Sequence, residues 1–115
     1  MNVLTTNERA EVPREAILDV VEQKKTRFNP QKIILFGSYA RGTQGPGSDV
    51  DLLVVMPLEK KPLRQAIEIL QNIDYHFGLD LIVRSPEASM RRVKLGDFFL
   101  QEAVEQGVLL YESDH

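Results

Sequence analysis

Four short apolar runs, over residues 33–36, 51–56, 79–83 and 108–111, are separated by stretches with helical spacing, and this alternation is what most limits the folds open to the chain. Each run is rich in Val, Ile, Leu or Phe, too short for a helix, and bounded by glycine, proline or charge, so each reads as a strand. Between them, the spacing of Ile17, Val20 and Val21 predicts a first helix that begins near Pro13 and stops at Asn29-Pro30. A second helix is predicted over residues 62–77, with Leu63, Ala66, Ile67, Leu70, Ile73 and Phe77 on one stripe and Gly78 as its C-terminal cap. Ser85-Pro86-Glu87 reads as a capped helix start, and helical spacing then continues to Gln106 and Gly107. The order implies an α/β or α+β domain, with helices laid over a small sheet.

At 115 residues the chain is expected to form a single domain, with polar residues 1–11 as a loose entry. Apolar residues make up 43% and charged residues 27%, values of a globular chain rather than a disordered one. Seventeen acidic against fourteen basic residues argue against direct nucleic-acid binding, which favours a basic excess. The absence of cysteine excludes disulfides, thiolate metal sites and cysteine nucleophiles. Leu52 to Met56 is the longest unbroken apolar run, far short of a membrane helix, so no membrane association and a cytoplasmic location are expected.

Chemistry-bearing residues gather around the first two strands. Gly37-Ser38 ends strand one and leads into Tyr39-Ala40-Arg41-Gly42. A Gly-Ser step opening a helical turn presents backbone N–H groups to an anion, and the serine adds a hydroxyl, so it reads as a phosphate seat or as a plain strand-to-helix turn. A loop with three glycines and a proline follows, over residues 42–48. Asp49 and Asp51 then flank Val50 at the mouth of strand two, and strand alternation points both carboxylates to one face. Two such charges ~4 Å apart repel by about 4 kcal/mol at an effective dielectric near 20, which a hard divalent cation would relieve. The alternatives are that the acids solvate a strand end or pair with Arg41 and Arg84. Asp80 opens strand three. It is either an ordinary strand-initiating residue or, should strand three lie beside strand two, a third carboxylate in a site able to hold two ions roughly 3.5–4 Å apart.

Gly37-Ser38, ten intervening residues and Asp49-Val50-Asp51 resemble the signature of the polymerase-beta-type nucleotidyltransferases. Gly37-Ser38-Tyr39-Ala40-Arg41-Gly42 with Ser48-Asp49-Val50-Asp51-Leu52 is similar to their minimal nucleotidyltransferase branch. The likeness spans about residues 33–83 and implies the polymerase-beta-like α+β fold, a small mixed sheet flanked by helices. It also implies a reaction in which a hydroxyl attacks the α-phosphate of ATP, the substrate, and pyrophosphate leaves. On that resemblance Asp49, Asp51 and Asp80 are the catalytic residues and the ligands of two Mg²⁺ ions, and Gly37, Ser38, Arg41 and Ser48 contact the nucleotide. Arg41 either adds charge to the phosphates or locks the turn.

So small a chain leaves little wall for an acceptor site, so a partner is expected to bring the hydroxyl. Stand-alone members of the branch act beside HEPN-domain proteins in toxin–antitoxin pairs, and the resemblance implies an antitoxin that adenylylates a tyrosine of a HEPN ribonuclease toxin. Two rival readings are a nucleotidyltransferase acting on a small-molecule hydroxyl and a non-catalytic antitoxin that neutralises its partner by binding.

Overall fold

The computed structural model describes residues 12–45 and 47–114; the entry segment expected over residues 1–11 lies outside them. In chain order the elements are α1 (Arg14–Phe28), β1 (Lys32–Phe36), α2 (Ser38–Arg41), β2 (Val50–Val55), α3 (Pro62–Gln71), β3 (Leu79–Arg84), α4 (Pro86–Lys94), α5 (Phe98–Gln106) and β4 (Val108–Glu112). The fold is α+β, as the alternation requires. All four apolar runs are strands of one mixed sheet in the order β3-β2-β1-β4. β2 is antiparallel to β1 and β1 to β4, whereas β2 and β3 run parallel, α3 being the crossover that parallel neighbours need.

Side-chain alternation divides the core between the two faces of the sheet. On one face Ile33, Leu35, Val50, Leu52, Val54 and Val83 pack against Ile17, Val20 and Val21 of α1 and Ala66 and Ile69 of α3. On the other face Phe36, Leu53 and Val55 pack against Leu100 and Ala103 of α5. The central strand β2 is therefore covered on both sides, which is why its sequence is apolar without alternation.

Two helical expectations are corrected. The second helix ends at Gln71, six residues before Phe77, and Gly78 is not its cap. Asn72 closes it instead, donating Nδ2–H to the Glu68 carbonyl at 2.8 Å. The chain beyond is tied to α1: Gln23 donates to the Asp74 carbonyl at 2.8 Å and accepts from the Asp74 N–H at 2.7 Å, while Arg27 donates to the Asn72 carbonyl. Ile73 is still buried, so the apolar spacing continues where the helix does not. The stripe itself is also narrower than predicted, since Leu63 and Ile67 are exposed and Gln65 is buried. The helical stretch after Ser85 breaks in two at Gly96, whose φ of 91° is open to glycine, and Asp97 caps α5 by accepting the Leu100 N–H at 3.1 Å. Its predicted start holds: the Ser85 hydroxyl accepts the Ala88 N–H at 3.1 Å.

Candidate active site

Strand register brings the singled-out residues to one end of the sheet. Because β1 and β2 are antiparallel, the end of β1 meets the start of β2, and Phe36 stands opposite Asp51. Gly37 follows at once and passes directly over the Asp51 carboxylate. A Cβ on Gly37 would overlap Asp51 Oδ2, and φ at this residue is 75°, so the position needs glycine on two counts. Ser38 then opens α2, whose turn closes with the N–H groups of Ala40 and Arg41 on the Gly37 carbonyl, 3.1 Å each. The first N–H groups of such a turn have no acceptor within it, which is what an anion seat requires.

Because β2 and β3 are parallel, their starts coincide, and Asp51 is paired in register with Asp80. Strand three thus lies beside strand two, the condition under which Asp80 joins the acids. Asp49 stands one residue before β2, next to Gly78, which precedes β3. The Val50 N–H donates to the Gly78 carbonyl at 2.9 Å, and a Cβ on Gly78 would overlap Asp49 Oδ1. Glycine at residue 78 makes room for a carboxylate; the helix-cap reading of the sequence missed this.

The Asp51 carboxyl titrates at about 6, well above the usual range. Partial burial is the main cause. The charge of Asp80, a carboxyl–carboxyl hydrogen bond that Asp51 donates to Asp80 when protonated, and the charges of Asp49 and Glu102 add to it. Among the described residues no three acidic or histidine side chains stand at cation-holding distances as placed. Asp51 and Asp80 are register partners close enough to share a proton, and the Asp49 carboxylate lies against Gly78. The donor set still fits a hard divalent ion, since it is oxygen-only and its mutual repulsion is what a cation would neutralise.

The alternative pairings are not made. Arg84 donates to the Val83 carbonyl at 2.8 Å, and Arg41 pairs with Glu102. Glu102, on α5, was not singled out in the sequence; it also accepts the Gly37 N–H at 3.2 Å. Among the described residues Arg41 is thus held by a carboxylate of α5. The Ser48 hydroxyl accepts the Gly45 N–H at 2.9 Å and its N–H donates to the Gly45 carbonyl, so in this structure Ser48 closes the loop before Asp49. Beside Asp49 a pocket of about 530 Å³ opens, walled by Ala16 of α1 and by Tyr75, His76 and Phe77.

A mixed sheet that sets a Gly-Ser turn against in-register acids defines a class, the nucleotidyltransferases. The family model described as nucleotidyltransferase domain matches residues 14–110, and the chain belongs to that family. It is 31% identical over 101 residues, covering 84% of this chain and 96% of the relative, to a Methanocaldococcus jannaschii protein named as a candidate protein adenylyltransferase. In fold it is similar to the crystal structure of a candidate nucleotidyltransferase from Sulfolobus solfataricus, with a TM-score of 0.63, 22% identity, and coverage of 87% of this chain and 80% of that one. A toxin–antitoxin crystal structure with AMP-PNP contains a chain of the same fold, with a TM-score of 0.52, 23% identity, and coverage of 90% and 76%.

Proposed function

We propose that this nucleotidyltransferase moves AMP from ATP to a protein hydroxyl, and that the acceptor is a tyrosine of a HEPN-type ribonuclease toxin which the modification silences. The observation that carries the transfer chemistry is the shared sheet end, where Gly37 lies on Asp51 and Asp51 pairs in register with Asp80. The name of the M. jannaschii relative supports a protein acceptor, and the toxin–antitoxin neighbour supports a toxin as partner.

In this reading Asp49, Asp51 and Asp80 would hold two Mg²⁺ ions, which when bound neutralise the triphosphate and the leaving group. The Gly37-Ser38 turn grips the β- and γ-phosphates. The acceptor oxygen forms the new bond to the α-phosphorus, the bond from that phosphorus to the bridging oxygen breaks, and pyrophosphate leaves with the bond electrons. The hydroxyl proton passes to a carboxylate at the sheet end, and Asp80 is exposed there to an incoming acceptor. The pocket beside Asp49 borders this line and gives a bulky group room to approach.

The test mixes the purified chain with ATP, Mg²⁺ and the product of the neighbouring gene, then weighs that product intact. A gain of one or more AMP units, absent with Asp49→Asn or Asp51→Asn, is the expected result. A tight complex without mass gain would favour neutralisation by occlusion. Neither complex nor gain would point to a small-molecule acceptor.

A further inference from the structure

We infer that Glu102 is an internal anion seated where the triphosphate must bind, so that nucleotide enters only by displacing it. This rests on the reading of Gly37-Ser38 as the phosphate seat. Glu102 lies on α5, over sixty residues from the turn, yet a single oxygen, Oε2, accepts the Gly37 N–H and pairs with the Arg41 guanidinium. Those are a backbone donor and a cation of the kind that grip phosphate oxygens, and Glu102 already holds both. Gly37 has one N–H, so a phosphate oxygen and Glu102 compete for it.

The location is otherwise a poor one for an acid. Glu102 adds its negative charge to a neighbourhood that already contains Asp49, Asp51 and Asp80. Its carboxylate is largely covered, with 20% of the side chain exposed, whereas the Arg41 partner is 42% exposed. A residue serving only to dock α5 on the sheet would do so better without charge, and Leu100 and Ala103 already supply that packing. What a carboxylate brings that a neutral side chain does not is a charge-assisted hold on the Gly37–Arg41 donor pair in the absence of nucleotide. The like charge of its neighbours keeps the hold weak enough to yield.

The experiment measures binding of Mg²⁺-AMP-PNP, and separately of inorganic tripolyphosphate, by titration calorimetry. Glu102→Gln removes the charge, while Glu102→Asp keeps it and withdraws the oxygen by one methylene, beyond hydrogen-bond reach of Gly37. Both variants are expected to bind both probes about fivefold more tightly than the unaltered chain, the effect of weakening the hold on a charged donor pair. Unchanged or weaker binding in both overturns the inference. Tighter binding by Glu102→Gln alone also overturns it, because net charge then explains the gain. Ser38→Ala separates the seat from its plug. If it binds both probes as tightly as the unaltered chain, the seat reading has failed and this inference with it; if it weakens binding while the Glu102 variants change nothing, only the plug is wrong.

Discussion

Burial moves the titrations of Asp51 and Lys24 toward neutral pH from opposite ends of the scale, so their effects on stability run against each other as pH changes. The Asp51 carboxyl is raised to about 6, chiefly by burial and by Asp80. An acid raised in the folded state contributes stability that is fully present below its unfolded value near 4 and is lost as pH rises through 6. Asp51→Asn is therefore expected to unfold at higher urea than the parent at pH 7 in chelator, and to flatten the stability profile between pH 4 and 6. A lower midpoint at pH 7 would mean that the carboxylate is held by partners instead of strained by neighbours. Lys24 is fully buried in α1, its Nζ makes no hydrogen bond among the described residues, and burial lowers it to about 7. A lowered base contributes stability present above 10.5 and lost as pH falls to 7, with a slope of about 1.4 kcal/mol per pH unit within that window. Lys24→Met, similar in length and without charge, is expected to stabilise the fold at pH 7 and to remove this alkaline rise, read as urea midpoints from pH 7 to 10. Helical spacing alone gave no sign of Lys24: it falls on the apolar stripe after Val20 and Val21, where a cation is the last residue one would place.

At the scale of elements, the strands were legible and the helix ends were not. A strand is announced by a short run of apolar, often β-branched residues, and that signal is local. A helix end depends on what competes for its last carbonyls. Here Gln23 and Arg27, nearly fifty residues away, take the backbone of residues 72–74 and so stop α3 at Gln71. Gln23→Ala removes two hydrogen bonds to Asp74 and should cost about 1 kcal/mol in urea unfolding, with faster amide exchange concentrated over residues 72–78. Unchanged exchange at Asp74 would show that α1 does not pin this segment. The site divides in the same way. Gly37-Ser38 and Asp49-Val50-Asp51 lie close enough in sequence to be seen as a unit, whereas the tie of Asp80 to Asp51 needs β3 to be the parallel neighbour of β2, and Glu102 comes from another face altogether. A glutamate on a helix of mixed character carries no mark of facing a distant turn.

For the molecule as a whole, the consequence is a fold under electrostatic strain at its working end. Antiparallel and parallel pairing meet on β2, so the exit of β1 and the entries of β2 and β3 converge, and with them Asp49, Asp51, Asp80 and Glu102. Nothing in the packing of either core requires those charges there, and a cation that binds the folded state alone stabilises it by linkage. At a hundred times its dissociation constant the gain is about 2.7 kcal/mol, which for a chain of this size corresponds to roughly 10 °C in unfolding midpoint. Adding Mg²⁺ to the chelated protein is expected to raise Tm on that scale, and Asp51→Asn or Asp80→Asn to abolish most of the rise despite a higher starting Tm without metal. An equal rise in all three proteins would place the ion somewhere other than this sheet end. A rise lost only in Asp51→Asn would instead make Asp80 a neighbour of the site and not a ligand, because register brings a side chain to an ion's edge but only a bound ion distinguishes a contact from a bond.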